Sequence, residues 1–553
     1  MYSCARPSPS PAGLPPTLQA HAAFALMEIS RGNKANQQLV VNHGGVSNLA
    51  SLMNNDKMHA QVKAEVAGAL WSLSESVNCQ AAIAKVGTVP PLVMLLGLGH
   101  ERARDHAACA ISSLARNHEQ NQIQITQLLI ELLLSGSEEA QERAARALWA
   151  LVADNPTAHE AIAKAGAPPK LVSLLVSGLP AAKDYALWSL SLAITAENQA
   201  EVAQSGGVEP LIEQLTDGRV MIHEQAASAL AKLALENEDM GQAITTAGGV
   251  KPLLNLLDAS DARGNTEAVM RQAADAVANL AVEPSARDEL VSAGGIRPLV
   301  LLLQEEEGRT AKKFAARALA RLANAHEATQ LKVAAEGAIA PLVKILAGTE
   351  EESQAQEEAA GALHALAELE SNRRAITAAD GISELVNLLA VDNSRAQQHA
   401  EGALVRLSQD QSNRALIIQK LVQMLTSKEQ QMITASPNGK ADGAREGGKE
   451  GEGGKEGGGG KEGGGGKEAD AEKAAGATGR GEEQAAAALA NLARESEENR
   501  NSIVNSNGIT PLLALIDSAN AKAKENAVSA ITELCRNSKE NQTAIAKVGF
   551  PHY

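Results

Sequence analysis

Histidine, cysteine and acidic residues build most catalytic and metal sites, but in this chain they do not occur at the spacings that such sites need. The 12 histidines and four cysteines form no H-E-x-x-H, C-x-x-C or G-x-S-x-G motif. His364 has no second metal ligand at a suitable spacing, so we expect a polar surface residue there. Cys109 and Cys535 are expected to fill the core. We therefore predict no enzymatic activity, no metal site and no cofactor.

Two further segments could carry chemistry by composition alone. The stretch GAREGGK, residues 443–449, resembles the start of a phosphate-binding loop, but Glu450 stands where that loop needs Ser or Thr and no strand precedes it. The acidic clusters at 305–307 and 350–352 could attract a divalent ion, but closely spaced acidic residues are usually solvated. We predict that neither segment is a binding site.

The composition indicates many thin helical layers. Of 553 residues 44% are hydrophobic, yet only nine are aromatic, so Ala, Leu, Val and Ile supply the apolar surface. No apolar run is long enough to span a membrane. The net charge of -16 and the scarcity of aromatics argue against nucleic-acid binding. The four scattered cysteines fit a reducing compartment, so we predict a cytoplasmic protein, with the nucleus or a membrane periphery as alternatives.

An internal repeat organises the chain. The phrase Gly-Gly-Val/Ile-x-Pro-Leu recurs at residues 206–211, 248–253 and 294–299, and weaker copies stand elsewhere at intervals of 36 to 46 residues. Two copies, ending at Leu129 and Leu421, have lost the glycines. A second phrase, Ala-x-Ala-Leu-x-x-Leu, follows about 20 residues later and can be counted in twelve copies. The chain is therefore about twelve units long.

Each unit is predicted to form three helices. The first ends at Gly, which favours the left-handed conformation found after helix C-termini. A Pro then begins a short apolar second helix, where its missing N–H costs nothing. The third helix is longer and places small and large apolar residues at helical spacing. One unit alone cannot bury its apolar face, whereas stacked units can, which predicts a solenoid.

These phrases resemble the armadillo repeat, and the resemblance covers nearly the whole chain. It is most similar to the fungal vacuolar armadillo protein and to plant and algal armadillo arrays. The resemblance implies an all-α, right-handed solenoid superhelix whose third helices line a groove that binds extended partner proteins. We name the residue before the second Leu of each third helix the groove position; its members are Glu28, Ser72, Ser113, Ala150, Ser189, Lys232, Asn279, Arg321, Ala365, Arg406, Asn491 and Glu533.

The groove position distinguishes between classes of armadillo protein. The resemblance to nuclear-import adaptors implies Asn there with Trp four residues earlier, but only Asn279 and Asn491 match, and Asp275 and Ala487 stand in place of Trp. The three tryptophans fall directly after the Ala-Leu pair, on a different face of the helix. An import adaptor is therefore not expected.

Basic residues in the middle units resemble those of catenin-like members. Lys232, Arg321 and Arg406 share the groove position, and Arg317 lies one turn before Arg321. We predict that they form a positive stripe that binds an extended acidic or phosphorylated segment of another protein. The alternative is that they are solvated helix charges. With Asn279 and Asn491, these residues are the candidate protein-binding site.

The predicted organisation has four parts. A poorly ordered Pro-rich leader (1–17) precedes the repeat array (18–435). A Gly/Lys/Glu-rich disordered insertion (436–481), which holds 18 of the 46 glycines, interrupts one repeat between its second and third helices. The array continues over 482–553. Both ends fall inside a repeat, which leaves open that the chain is a piece of a longer one.

We predict a non-enzymatic scaffold or adaptor that binds extended protein segments. Two alternatives stay open. One is a membrane tether like the vacuolar protein, against which Tyr2 weighs, because N-myristoylation requires Gly at that position. The other is part of a ubiquitin-ligase adaptor in which a U-box precedes the armadillo array.

Overall fold

The computed structural model describes residues 14–549, except for 99, 117, 154–158, 160–161, 217–218, 259–265, 306–308, 325, 350–351 and 436–464. The described residues form helices joined by short turns and contain no β-strand. The predicted all-α repeat fold is therefore confirmed. Within this part of the chain no single helix is long and apolar enough to cross a membrane; Val77–Lys85 and Val89–Gly97 meet the test only as a pair bent by 85°.

The third helices carry the Ala-x-Ala-Leu-x-x-Leu phrase, and its leucines and small residues form the core. Leu70, Leu230 and Leu363 are fully buried. Burial of one such side chain contributes about 1.5–3 kcal/mol, while the alanines let neighbouring helices approach closely. Twelve third helices occur in the described part of the chain: Pro16–Ser30, Ala60–Ser74, Glu101–Ala115, Glu138–Ala153, Pro180–Ala193, Val220–Leu233, Glu267–Leu280, Arg309–Ala323, Ser353–Leu366, Ser394–Leu407, Gly465–Glu495 and Ala521–Cys535.

Shorter first and second helices precede most of the third helices, as predicted. The first helices are Lys34–Asn42, Val77–Lys85, Gln199–Gln204, Glu238–Thr246, Pro284–Ser292, Glu327–Ala335, Glu370–Ala378, Glu497–Asn505 and Lys539–Val548. The second helices are Gly45–Met53, Val89–Leu98, Ala167–Ser177, Val208–Gln214, Val250–Asn255, Ile296–Gln304, Ile339–Leu346, Gly381–Leu388 and Ile509–Leu515.

The two glycines of the repeat phrase have different tasks. Gly248 has φ +77°, a left-handed conformation that costs a residue with a side chain about 1–2 kcal/mol. At Gly249 a Cβ atom would stand 2.7 Å from Cγ2 of Ile244, so the turn closes only without a side chain. The first glycine therefore ends the first helix, and the second lets the next helix begin against it.

Two units depart from the predicted three helices. Where the glycines are missing, the first and second helices run on as one, Glu119–Ser135 and Gln411–Ala435. The prediction of three helices is wrong for these units, and the physical reason is the absence of a residue that readily adopts the left-handed conformation.

Asparagine side chains connect several third helices to the helix that follows them. Nδ2 of Asn121 donates to the carbonyl of Leu114 at 2.8 Å, and Nδ2 of Asn499 donates to that of Leu492 at 2.8 Å. The last carbonyls of a helix have no partner within it, and an unsatisfied buried carbonyl costs about 1–3 kcal/mol. These asparagines therefore supply the missing donors and fix the angle between the two helices.

The chain forms two compact units, Met1–Ala293 and Gly294–Tyr553. Within each unit most successive third helices pack directly on one another; Ala60–Ser74 packs on Glu101–Ala115, and Ser353–Leu366 packs on Ser394–Leu407, whereas Glu101–Ala115 and Glu138–Ala153 approach each other closely at only a few residues. The same sequence positions therefore recur side by side along one face of each unit.

Several predicted segments fall on residues that are not described. Residues 1–13 of the predicted leader and 436–464 of the predicted insertion lie outside the described part of the chain. So does the loop resembling a phosphate-binding motif, together with most of the two acidic clusters. The described helices on either side of the insertion are Gln411–Ala435 and Gly465–Glu495, and the second begins inside the predicted segment.

Candidate protein-binding surface of the third helices

Side chains at the groove position connect neighbouring third helices. Nζ of Lys232 donates to the carbonyl of Ser191 at 2.5 Å, and Nδ2 of Asn279 donates to that of Ala231 at 3.0 Å. In the second unit, Nη1 of Arg406 donates to the carbonyl of His364 at 2.7 Å. In each case the acceptor lies on the preceding third helix or at its end, so these residues join successive repeats.

The shorter Ser72 follows the same rule. Its Oγ donates to the carbonyl of Met27, on the preceding third helix, at 3.1 Å. A short donor at the groove position can therefore also reach the preceding layer, but Ser189 does not, since its buried Oγ has no hydrogen-bond partner among the described residues. Where the bond forms, the groove residue has a structural task whether or not it also meets a partner protein.

Acidic neighbours offset the charge of two predicted basic residues. Nε of Arg317 lies 2.7 Å from Oε1 of Glu358, with both side chains about one-fifth exposed. Arg406 pairs with the more exposed Glu368 at 3.0 Å. Burial lowers the pKa of the Lys232 ammonium below its usual range. Arg317 and Arg406 are therefore paired with acidic groups of the protein itself.

The six predicted site residues are divided between the two units. Lys232 and Asn279 belong to the first unit, and the other four, Arg317, Arg321, Arg406 and Asn491, belong to the second. Arg317 and Arg321 lie one turn apart on the helix Arg309–Ala323, as predicted, and both are half-buried. Asn491 donates to a carboxylate oxygen of Glu401. Asn279 is 4% exposed, so its amide is turned to the protein interior.

Two histidines adjoin this surface in the second unit. The rings of His364 and His399, on adjacent third helices, lie 6.2 Å apart between centroids. Burial, the Arg406 guanidinium and His399 together lower the pKa of His364 to about 4, against a smaller opposing effect of Glu368. His364 is therefore neutral at pH 7. In the described part of the chain no group of three or more His, Cys, Asp or Glu side chains is placed to hold a metal ion.

The first unit carries a surface pocket that the sequence analysis missed. Its volume is about 620 Å³, and three consecutive third helices, beginning at Ala60, Glu101 and Glu138, supply nearly all of its lining. We name it the first-unit pocket. Its apolar wall is formed by Trp71, Leu96, Ala108, Ile111, Ala147, Ala150 and Leu151, and its charged residues are Glu101, Arg104, Asp105, Arg116, Arg143 and Arg146.

Two of the four arginines in this pocket are available to a partner. Arg116 and Arg146 are exposed, and neither guanidinium has a hydrogen-bond or ion-pair partner among the residues that the structure describes. Arg143 is half-buried, pairs with Glu139 at 2.9 Å and donates to the carbonyl of Leu96. The signal in the sequence was the position one turn before the groove position, where Arg146 corresponds to Arg317.

Trp71 and Cys109 correct two sequence-based interpretations. The tryptophans were set apart from the groove position, yet Trp71 borders the same pocket as Ser113 and Ala150, which hold that position. Cys109 also lines the pocket and is half-buried, so it is not a fully buried core residue. Burial, and then the Asp105 carboxylate, raise the pKa of its thiol.

The other tryptophans extend an aromatic surface beside the pocket. Trp149 and Trp188, on adjacent third helices, lie 5.2 Å apart between ring centroids, and Tyr185 packs against both at 5.9 and 5.4 Å. Aromatic pairs at these distances contribute about 0.5–1.5 kcal/mol beyond the area that they bury. They stiffen the contact between these two third helices.

Comparison with known families assigns the repeat. Residues 195–235 and 496–536 match the family described as Armadillo/beta-catenin-like repeat. Each matched segment spans one complete unit of first, second and third helix. This chain belongs to the armadillo repeat proteins.

Known proteins with similar armadillo arrays include two from plants. The chain is 27% identical over 248 residues to importin subunit alpha-1a of Oryza sativa subsp. japonica, which covers 43% of this chain and 47% of that protein. It is 25% identical over 315 residues to protein CELLULOSE SYNTHASE INTERACTIVE 3 of Arabidopsis thaliana, which covers 54% of this chain and 13% of that protein. The chain thus spans less than half the length of each relative.

One solved structure shares the armadillo fold over most of the chain. It is an engineered protein with a TM-score of 0.60 and 32% sequence identity, which covers 72% of this chain and 96% of its own. The likeness to importin subunit alpha-1a does not alter the residue-level finding at Asn279, whose side chain is buried.

Proposed function

We propose that this armadillo protein is a non-enzymatic scaffold or adaptor that holds extended segments of other proteins on its third-helix surface. The observation that carries the proposal is the side-by-side packing of most successive third helices, which places equivalent positions next to one another within each unit. The first-unit pocket is an open feature of that surface.

The dimensions of the surface support an extended ligand. Packed helices lie about 8–10 Å apart, and an extended chain advances about 3.3 Å per residue. About two and a half to three residues of an extended segment therefore pass each third helix, so roughly every third residue comes next to an equivalent helix position. A folded domain has no such match to the repeat.

The test is site-specific photo-crosslinking in the full chain, with p-benzoylphenylalanine at Ser228 or Val405. Both positions lie on third helices outside the first-unit pocket; Ser228 corresponds to Arg146, and Val405 corresponds to Trp71. Control positions are the exposed Ser51 and Ser173 on second helices. We expect crosslinks to shared partner proteins from the third helices and none from the controls. Equal crosslinking from both sets would disprove the proposal.

For the second unit we propose that Arg321 and Arg406 bind acidic or phosphorylated partner segments. The Arg406–Glu368 pair is exposed enough for an incoming carboxylate or phosphate to replace Glu368, because such surface pairs contribute at most about 1 kcal/mol. Charge reversal of both arginines is expected to weaken capture of a crosslinked partner about tenfold. Unchanged capture would contradict this proposal and leave the two arginines with only their structural contacts inside the protein.

The subcellular location is part of the same proposal. The likeness to an importin subunit and the few scattered cysteines support the cytoplasm or the nucleus. The membrane-tether and ubiquitin-ligase alternatives stay predictions. Fold alone does not name a partner, so partner identity has to come from the crosslinked proteins.

A further inference from the structure

We infer that the first-unit pocket is a docking site for an acidic, extended peptide segment whose carboxylates alternate with large apolar side chains. The inference rests on the proposed function and adds to it the site and the chemistry of the partner. It concerns different residues from the predicted basic stripe.

Charge complementarity is the first argument. Four arginines line the pocket against two acidic residues, on a protein whose net charge is -16. Arg116 and Arg146, the two exposed arginines, have no partner among the described residues. An arginine can bind a carboxylate with two parallel hydrogen bonds, which makes these side chains suited to acidic groups.

The placement of the arginines is the second argument. Arg104 and Arg116 belong to the helix Glu101–Ala115 and its C-terminal end, and Arg143 and Arg146 belong to the next third helix, Glu138–Ala153. All four line the same pocket, so an extended segment that crosses from one third helix to the next meets arginines on both.

The apolar wall is the third argument. Trp71, Ile111 and Leu151 border the pocket beside the arginines, and an inorganic anion would make no favourable contact with their apolar surface. Alternate side chains of an extended segment point to opposite sides, so a carboxylate can meet an arginine while its neighbour covers the wall. A volume of about 620 Å³ holds a few side chains.

A polyanion such as nucleic acid fits the same surface less well. The net charge of -16 repels a long chain of phosphates, whereas a short segment meets mainly the local charge of the pocket. The observations therefore favour an acidic peptide, and single-stranded DNA becomes the competing ligand in the test.

The experiment measures fluorescence anisotropy of labelled twelve-residue peptides with the full-length protein. The probe peptide alternates Asp with Leu and Phe between Gly-Ser ends. In one matched peptide Asn replaces every Asp, and in another Ala replaces the Leu and Phe residues. We expect the acidic, apolar peptide to bind about tenfold more tightly than either matched peptide, with an affinity that falls as salt rises.

Charge reversal tests the site itself. The double substitution Arg116→Glu with Arg146→Glu is expected to weaken binding about tenfold or more. The matched control is Lys85→Glu with Lys251→Glu, two exposed residues of the same unit on a first and a second helix, and it changes the total charge equally. This control is expected to stay within about twofold of wild type. Unaltered thermal unfolding of both variants shows that they are folded.

Three results would overturn the inference: binding that survives the arginine reversal, equal binding of the Asn peptide, or tighter binding of a twelve-nucleotide thymidine oligomer. Failure here can be told apart from failure of the scaffold proposal. If third-helix crosslinks at Ser228 and Val405 occur while the acidic peptide does not bind, only the pocket inference falls. If neither the crosslinks nor the peptide binding is observed, both the pocket inference and the scaffold proposal are disproved.

Discussion

The imidazole of His364 has a strongly lowered pKa, about 4 in the folded protein. Its ring is half-buried beside Arg406 and His399, so protonation would place a positive charge close to the Arg406 guanidinium in a partly desolvated site. The neutral ring is accommodated without that cost, and Arg406 donates to the carbonyl of the same residue.

We predict that His364 makes stability fall in mild acid. Its pKa is about 4 in the folded protein and 6.5 in the unfolded chain, so the unfolded chain binds more protons between these values. The free energy of unfolding therefore decreases as the pH drops from 6.5 towards 4. Urea unfolding at pH 7 and pH 5 should show a larger loss for wild type than for His364→Gln. From pH 7 to 9 the difference between the proteins should stay constant; an equal loss in acid would contradict the assignment.

Residue roles were the least predictable part of the site. The register of the third helix predicted Lys232, Asn279 and Arg406 at equivalent helix positions, because that requires only helical periodicity. Their hydrogen bonds to Ser191, Ala231 and His364 depend on how the next layer packs, which one sequence does not contain. The same holds for Arg116 and Arg146, because their availability to a partner depends on which residues surround them in the folded protein.

At the scale of the elements, the turn between first and second helices decides where a unit divides. Gly248 and Gly249 illustrate why the phrase needs two glycines, one for a left-handed backbone and one for close approach. Asn507 occupies the corresponding left-handed position in the last complete repeat, with φ +59°. Asparagine tolerates this conformation better than most residues.

We predict that Gly248→Ala lowers the free energy of unfolding by about 1–2 kcal/mol, because alanine is strained in the left-handed region. Space is not the cause, since a Cβ atom at Gly248 would meet no atom within 4 Å. The opposite change, Asn507→Gly, should leave stability unchanged or raise it. Chemical denaturation measures both; wild-type stability for Gly248→Ala would refute the backbone explanation.

Helix boundaries were largely predictable from these turns. Gly and Pro at fixed offsets gave the division into first and second helices, and the two copies without glycines, Glu119–Ser135 and Gln411–Ala435, formed continuous helices. The missing glycines are visible in the sequence, although three helices were predicted for these units. The fusion of first and second helices follows from local backbone preference and needs no tertiary contact.

At the scale of the whole molecule, each repeat contacts mainly its neighbours. Stability in such an array is a sum of repeat and nearest-neighbour contributions, so damage to one layer should stay near that layer. The repeat count and the all-α class followed from the spacing of the phrases. The spacing of the phrases does not predict the division into two compact units after Ala293, because that division depends on how residues pack in three dimensions.

We predict that Asn499→Ala produces a local defect. It removes the donor to the buried carbonyl of Leu492, at a cost of about 1–3 kcal/mol. Amide hydrogen exchange should become roughly tenfold faster or more in Glu497–Asn505 and Ala521–Cys535, while Ser353–Leu366 keeps its wild-type rates. Asn505→Ala, an exposed change on the same helix, is the control. Uniform acceleration throughout the second unit would indicate cooperative unfolding instead.

The hydrogen bonds from the groove position have a consequence for how such a protein can diverge. A mutation at Lys232 or Arg406 that suits a new ligand also removes a link between adjacent layers, so a gain in recognition brings a loss of robustness. Among the described residues Arg116 and Arg146 make no such link, so their replacement is expected to leave the layers intact. New specificities should therefore arise first where a side chain makes no hydrogen bond or ion pair within its own protein, and directed evolution of this array is best begun there.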